Sequence, residues 1–113
     1  MVLASIEAFS RGDVDEGLGY WADDCVFVND AGAVGTAGTW PGPQGFKAWL
    51  RETTDAMSEY RLDVIDAKEE GDRVTVTFKE MGQGRTTGLA VERRIRAVFT
   101  LDSGKITRIQ TST

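Results

Sequence analysis

The hydrophobic period of this chain changes once, and that change limits the folds open to it. Apolar residues in the first half recur mostly at helical spacing, whereas from Tyr60 onward they occupy every second position. A period near 3.6 residues lines one face of a helix, and a period of two lines one face of a strand. Helices followed by a meander of strands predict an α+β domain, with three N-terminal helices packed on a curved antiparallel sheet.

The first half predicts three helices. A first short helix ends at the glycine-containing break of residues 11–13. Asp13 caps a second helix, which carries Trp21 on its apolar face and ends near Ala22. Pro43 suits the first position of a third helix. That helix presents a stripe at i, i+3, i+4, i+7 and i+11, formed by Phe46, Trp49, Leu50, Thr53 and Met57.

Strand signals surround the third helix and fill the second half. The apolar run 25–29 (CVFVN) predicts a strand that leads into a mobile, glycine-rich loop over residues 31–38. Turns are predicted at residues 71–72, 82–88 and 102–104, with long strands between them. A bent sheet beneath helices leaves a cavity, so the expected architecture is a cone.

Length, charge and composition argue against several classes of partner. The 113 residues fit one domain, 1–113, and a net charge of −5 argues against nucleic acid as a partner. No apolar run approaches a membrane span and no targeting segment is evident, so we expect no membrane association. The lone Cys25 is typical of a reducing compartment, and a cytoplasmic location is expected.

The chain contains no histidine. This absence removes the commonest general base and the usual zinc ligand sets, and no metal-ligand spacing or nucleotide fingerprint takes their place. We therefore expect neither a metal nor a cofactor.

Four phrases in order carry a resemblance to a known family: residues 9–15 (FSRGDVD), 21–26 (WADDCV), 40–46 (WPGPQGF) and 101–106 (LDSGKI). Together they resemble the SnoaL-like branch of the nuclear transport factor 2-like superfamily. The resemblance implies a cone whose open end holds a small apolar molecule, and a homodimer formed through the outer face of the sheet. It says little about chemistry, because this scaffold serves isomerases, cyclases, hydrolases and non-catalytic binders.

Ketosteroid isomerase-like relatives imply one set of catalytic positions. Their tyrosine, base and second acid match positions near Ser5, at Asn29 or Asp30, and at Ala97 or Arg96. The tyrosine and the second acid are therefore missing. Asp30 takes the base position only if the strand contains a one-residue bulge, since the ungapped match places Asn29 there.

Limonene epoxide hydrolase-like relatives imply a second set, at Phe78, Glu80 and Thr111, of which only Glu80 keeps a carboxylate. The alternation of its strand predicts that Glu80 faces the cone, where apolar surroundings would suit it to general acid or base work. The alternative is that Glu80 lies at the cavity mouth, solvated or paired with Arg94 or Arg96.

Aromatic side chains are the expected ligand contacts. The resemblance places Trp49 in the cavity, and Trp21, Phe46 and Phe78 are expected to face the same space. The alternative is that these rings only fill the core. Trp40 follows the glycine-rich loop and is expected either to close over the cone as a lid or to lie exposed or in a dimer interface.

Two functions fit these features. The first is a SnoaL-like small-molecule-binding protein that acts by acid/base chemistry on an apolar cyclic metabolite, with Glu80 or Asp30 as the catalytic carboxylate and Asn29 among the ligand contacts. The second is a non-catalytic ligand-binding or homodimeric interaction module that has lost the family's catalytic residues. The sequence leaves open whether the chain is an enzyme.

Overall fold

The computed structural model describes residues 1–30 and 37–113. Two helices come first, followed by a strand pair, a third helix and four long strands. In chain order the elements are α1 Val2–Ser10, α2 Val14–Leu18, β1 Trp21–Asn29, β2 Gly38–Pro41, α3 Gly42–Ala56, β3 Met57–Glu70, β4 Arg73–Gly84, β5 Ala90–Asp102 and β6 Lys105–Ser112. No helix in these two described segments is long and apolar enough to span a membrane.

The six strands form one curved, open sheet in the order β2-β1-β6-β5-β4-β3. The predicted α+β class with helices packed on a curved sheet is confirmed. The sheet is mixed rather than wholly antiparallel, because β1 runs parallel to β6. After β2 and α3, the meander β3 to β6 brings the last strand back beside the first in the same direction.

The second helix is shorter than predicted. Asp13 caps α2 as expected, since its carboxylate accepts a hydrogen bond of 3.1 Å from the backbone N–H of Glu16. The helix ends at Leu18 rather than near Ala22, because glycines at 17 and 19 weaken its last turn. Trp21 is consequently the first residue of β1, not a helical residue.

The third helix agrees with the sequence, except at its end. Pro43 lies in its first turn, and Phe46, Trp49 and Thr53 are its buried residues. Met57 was predicted on the same stripe, but it has an extended backbone and begins β3.

A bulge interrupts β3 near its start. The pairing with β4 shifts between Ser58 and Arg61, and Glu59 has a left-handed backbone with φ of 54°. Such a bulge changes which face the following residues point to, and here Tyr60 and Leu62 both lie on the inner face of the sheet. A Cβ at Gly82, on β4, would lie 2.7 Å from the Cε of Met57, so only glycine fits opposite the bulge without a shift.

The loops agree in part with expectation. The turns at residues 71–72 and 103–104 lie where the sequence places them. Strand β4 runs on to Gly84, past the first predicted turn glycine at 82. The predicted glycine-rich loop falls almost wholly on residues 31–36, outside the described residues. Strand β2, which was not predicted, follows it.

Candidate functional site

An internal cavity of about 90 Å³ lies between α3 and the inner face of the sheet. Every strand except β2 contributes to its lining. The lining is mostly apolar, and its aromatic members are Trp21, Phe27, Phe46, Trp49, Phe78 and Phe99, with Tyr60 at the polar end. We call this space the inner cavity.

The aromatic rings pack against one another as well as lining this cavity. Trp21 and Phe46 have ring centroids 4.7 Å apart, and Phe27 and Trp49 lie 4.9 Å apart, both in edge-to-face arrangements. These distances are in the favourable range for aromatic pairs. Trp21, Phe46, Trp49 and Phe78 therefore belong to the hydrophobic core and to the cavity wall at once, so the two alternatives for them are not exclusive.

Glu80 lies inside the cavity wall, where it is 3% exposed. One carboxylate oxygen, Oε1, accepts a hydrogen bond of 2.6 Å from Nε of Arg93, and the other accepts one of 2.6 Å from the hydroxyl of Tyr60. The ion-pair partners expected from the sequence are Arg94 and Arg96. Arg93 takes that place because it lies directly opposite Glu80 in the register of β4 and β5, on the inward face.

Tyr60 is the residue at this site that sequence reasoning missed. It lines the inner cavity and donates its hydroxyl to Glu80. Burial, reinforced by that hydrogen bond, raises the pKa of the Tyr60 phenol far above its ordinary value of 10.0. The phenol is therefore neutral at physiological pH and acts as a hydrogen-bond donor.

A second polar pair lines the same cavity. Asn29 and Thr111 are opposite each other in the parallel pairing of β1 and β6, and the Thr111 hydroxyl donates to Oδ1 of Asn29 over 2.5 Å. Ala97 and Phe78 also line the cavity. Five positions matched to the two sets of relatives thus line one cavity, and only Glu80 among these five carries a charge, whereas Ser5 is not part of the lining.

Asp30 is not brought into the cavity. It is exposed, and its carboxylate accepts a hydrogen bond of 3.0 Å from Nε2 of Gln110 on the surface. The pairing of β1 with β6 is regular from Val26 to Asn29, so the bulge that would turn Asp30 inward is absent there. Asn29 holds the inward position, as the ungapped match predicted.

Trp40 does not line the inner cavity either. It is a half-buried residue of β2, opposite Phe27 of β1. In the structure Trp40 is part of the sheet rather than a free lid.

Trp49 has a buried donor without an acceptor. The residue is 7% exposed, and its indole Nε1 has no hydrogen-bond partner in the described part of the chain. A buried N–H that lacks a partner is costly, and such a group is expected to meet a ligand atom or a bound water.

A larger groove adjoins the inner cavity on the side of α1. Its volume is about 340 Å³, and it lies between α1, α3 and the start of β3. Five residues separate the two spaces and line both: Phe46, Trp49, Tyr60, Leu62 and Phe78. We call this space the outer groove.

Cys25 is a core thiol of β1, 1% exposed. Burial, followed by the negative charges of Asp24 and Asp23, raises its pKa to about 11. Because the thiolate is the reactive form, Cys25 is a poor nucleophile at neutral pH. Across residues 1–30 and 37–113, no group of three acidic or cysteine side chains is placed to hold a metal ion.

Solved structures with the same fold are numerous. The protein TerC, co-crystallised with polyporic acid, is 26% identical and superposes with a TM-score of 0.86 over 98% of this chain and 86% of its own. A candidate polyketide cyclase from Xanthomonas campestris is 27% identical, with a TM-score of 0.74 over 97% of this chain and 84% of its own. An NTF2-like protein from Burkholderia thailandensis, 23% identical, reaches a TM-score of 0.92 over 98% and 85% of the two chains.

No curated protein matches the sequence. The SnoaL-like domain family matches residues 2–109, nearly the whole chain. With the helix-covered curved sheet and its apolar cavity, that match shows that the chain belongs to the SnoaL-like domain family.

Proposed function

We propose that this chain binds a small, largely apolar cyclic molecule and transfers a proton to or from it through Glu80. The observation that carries the proposal is a carboxylate only 3% exposed in the wall of a largely apolar cavity. Such a group costs stability unless it is paired, and buried ionisable groups in clefts concentrate at functional sites.

The geometry suits removal of a proton from carbon next to a carbonyl group. Each Glu80 oxygen accepts one hydrogen bond and keeps a second acceptor site, so the carboxylate can take a substrate proton while Arg93 stays in place. The neutral Tyr60 hydroxyl then no longer faces a full negative charge, and it can donate to the oxygen on which the substrate's charge develops. Return of the proton at another carbon is isomerisation, and attack by the carbanion on a second carbonyl carbon is cyclisation.

Two relatives support the substrate class. One was crystallised with polyporic acid and another is a candidate polyketide cyclase, at 26% and 27% identity to this chain. Both are in keeping with a cyclic organic molecule as the ligand.

The first experiment is a thermal-shift screen of cyclic ketones and quinones, followed by turnover assays on every compound that raises the melting temperature. Glu80→Gln keeps the shape of the side chain and its acceptor for Tyr60, but it cannot take a proton, so we expect a loss of at least 100-fold in kcat. Asp30→Asn is the matched control, because it makes the same change at an exposed carboxylate. Full activity in Glu80→Gln, or loss confined to Asp30→Asn, would remove Glu80 from the mechanism.

A second candidate function is binding without catalysis. It is favoured by one observation, that both Glu80 oxygens already have partners in Arg93 and Tyr60, as in a structural ion pair. A compound that binds tightly and is recovered unchanged, with equal affinity for wild type and Glu80→Gln, would support this function over the enzyme.

Assembly and location stay predictions. Homodimerisation through the outer face of the sheet is tested by light scattering at micromolar concentration, where a monomeric mass would contradict it. The cytoplasmic location is tested by fractionation of cells that express the chain.

A further inference from the structure

The inner cavity is too small to hold a ring system by itself. Its volume of about 90 Å³ is below the roughly 150 Å³ of an engineered apolar cavity that holds one benzene. A cyclic molecule that reaches Glu80 must therefore extend beyond this cavity.

The outer groove adjoins the inner cavity and is large enough for the rest of such a molecule. At about 340 Å³ it lies within the usual range for small-molecule sites, whereas the inner cavity does not. Its wall on the α1 and α3 side is apolar and half-buried at Ile6, Phe9 and Leu50. Its rim is polar, with an ion pair of 2.9 Å between Arg61 and Asp63.

Two aromatic side chains with polar groups lie at the boundary between the inner cavity and the outer groove. Trp49 and Tyr60 stand there with ring centroids 6.5 Å apart and planes inclined by 78°. Tyr60 donates its hydroxyl to Glu80, while the indole N–H of Trp49 has no acceptor among the described residues. The partition thus contains one buried donor for which the described residues provide no acceptor, and it belongs to a side chain that lines both spaces.

We propose that the substrate is an elongated carbonyl compound bound across both spaces. A small carbonyl-bearing end lies in the inner cavity, its oxygen accepts a hydrogen bond from Nε1 of Trp49, and its ring or rings fill the outer groove. This inference rests on the proposed function for the presence of a ligand at Glu80, but it concerns where each part of that ligand binds.

Isothermal titration calorimetry with three probes tests the groove. Butan-2-one has only the small end, 2-acetylnaphthalene adds two rings, and 2-ethylnaphthalene has the rings without the oxygen. We expect 2-acetylnaphthalene to bind at least tenfold more tightly than butan-2-one, which corresponds to about 1.4 kcal/mol.

Leu50→Trp fills the groove without touching the inner cavity, and we expect it to abolish that tenfold gain. Ile6→Trp fills the groove from α1 and guards against misfolding of the first variant, with circular dichroism as the check on both. Leu3→Trp is the matched control, because Leu3 is 52% exposed and lines neither space. Equal affinity of the two ketones, no measurable binding of 2-acetylnaphthalene, or equal effects of Leu50→Trp and Leu3→Trp would overturn the groove assignment.

Trp49→Phe tests the hydrogen bond, because it removes the N–H and keeps an aromatic ring. We expect a threefold to tenfold loss of affinity for 2-acetylnaphthalene beyond any loss for 2-ethylnaphthalene, the range of a single neutral hydrogen bond. Equal losses for the two probes would overturn this part. The outcome is separable from the proposed function, since Glu80→Gln can abolish turnover whatever these probes do, and the probes can bind as expected even if Glu80→Gln stays active.

Discussion

Replacing Arg93 by methionine tests how much the positive charge of Arg93 stabilises the buried Glu80 carboxylate. Arg93 lies directly opposite Glu80 on the neighbouring strand, and its Nε is 2.6 Å from the carboxylate. Methionine keeps most of the apolar length of the side chain but removes the guanidinium. Among the described residues, Glu80 then keeps only the Tyr60 hydroxyl as a hydrogen-bond partner, within a largely apolar cavity.

The expected cost can be worked from the exposure of the two groups. Removing one partner of a fully buried ion pair costs about 3–5 kcal/mol. The Glu80 side chain is 4% exposed, but that of Arg93 is 28% exposed, so water reaches one side of the pair and screens it. We therefore expect a loss of about 2–3 kcal/mol, or a fall in Tm of roughly 10 °C for a chain of 113 residues.

Urea unfolding followed by tryptophan fluorescence measures this loss. Arg94→Met is the matched control, because Arg94 is the next residue of β5 and is exposed on the other face, where a substitution is expected to change stability by less than about 0.5 kcal/mol. The double variant Glu80→Leu with Arg93→Met removes both charges and is expected to recover to within about 1 kcal/mol of wild type. Equal losses in Arg93→Met and Arg94→Met would refute the view that the pair is desolvated.

Three further predictions concern stability. The pKa of Cys25, about 11 when folded against an ordinary 9.0, means that the free energy of unfolding falls by about 2 kcal/mol as pH rises from 9 to 11. Urea titrations across that range should show a smaller fall in Cys25→Ala, and an unchanged fall would contradict the assignment. Gly17→Ala places a Cβ 2.5 Å from the Phe9 ring and should lower stability by about 1–3 kcal/mol in thermal unfolding; a stabilised variant would mean that the ring moves freely. Ser5→Ala removes the acceptor of the 3.1 Å hydrogen bond from Nε1 of Trp21 and should cost about 1–3 kcal/mol by urea unfolding, with a loss under 0.5 kcal/mol as the contrary result.

The architecture was predictable because two periodicities are explicit in the sequence. The buried residues of α3 are those of the helical stripe, and the alternation of Val74, Val76 and Phe78 correctly placed Glu80 on the inner face. Each of these inferences needs only local spacing, which the chain fixes without reference to its partners.

The features that were missed depend on contacts between distant segments. The spacing of Trp21 predicts a helical position, whereas its pairing with Ile106 of β6 places it on a strand. Likewise, the partner of Glu80 follows from the register of β4 against β5, which no spacing within either strand specifies. Arg93 and Arg94 differ only in which face they occupy.

Tyr60 was missed for a related reason. The alternation from Tyr60 onward already places Tyr60 on the same face as Leu62, but the partner of its hydroxyl follows from the register of β3 against β4, in which Leu62 lies opposite Glu80. The bulge at Glu59 shifts that register, and no spacing within β3 specifies the shift. A signal was present in Gly82, since a glycine within a strand often marks a bulge or a close approach. The sequence pattern instead predicts a turn at that glycine.

Stability alone does not explain why several unfavourable features of this molecule lie around one cavity. A buried ion pair is often no more stabilising than apolar residues of the same size, so Glu80 and Arg93 are not required to hold the sheet. The left-handed backbone at Glu59 costs free energy as well, and so does the indole N–H of Trp49, which has no partner in the segments that the structure describes. Glu80 and Trp49 line one cavity, and the strained Glu59 positions Tyr60 in its wall. Departures from local rules that converge on one space are typical of binding or catalytic sites, which is why the proposed function is placed at this cavity rather than on the surface of the sheet.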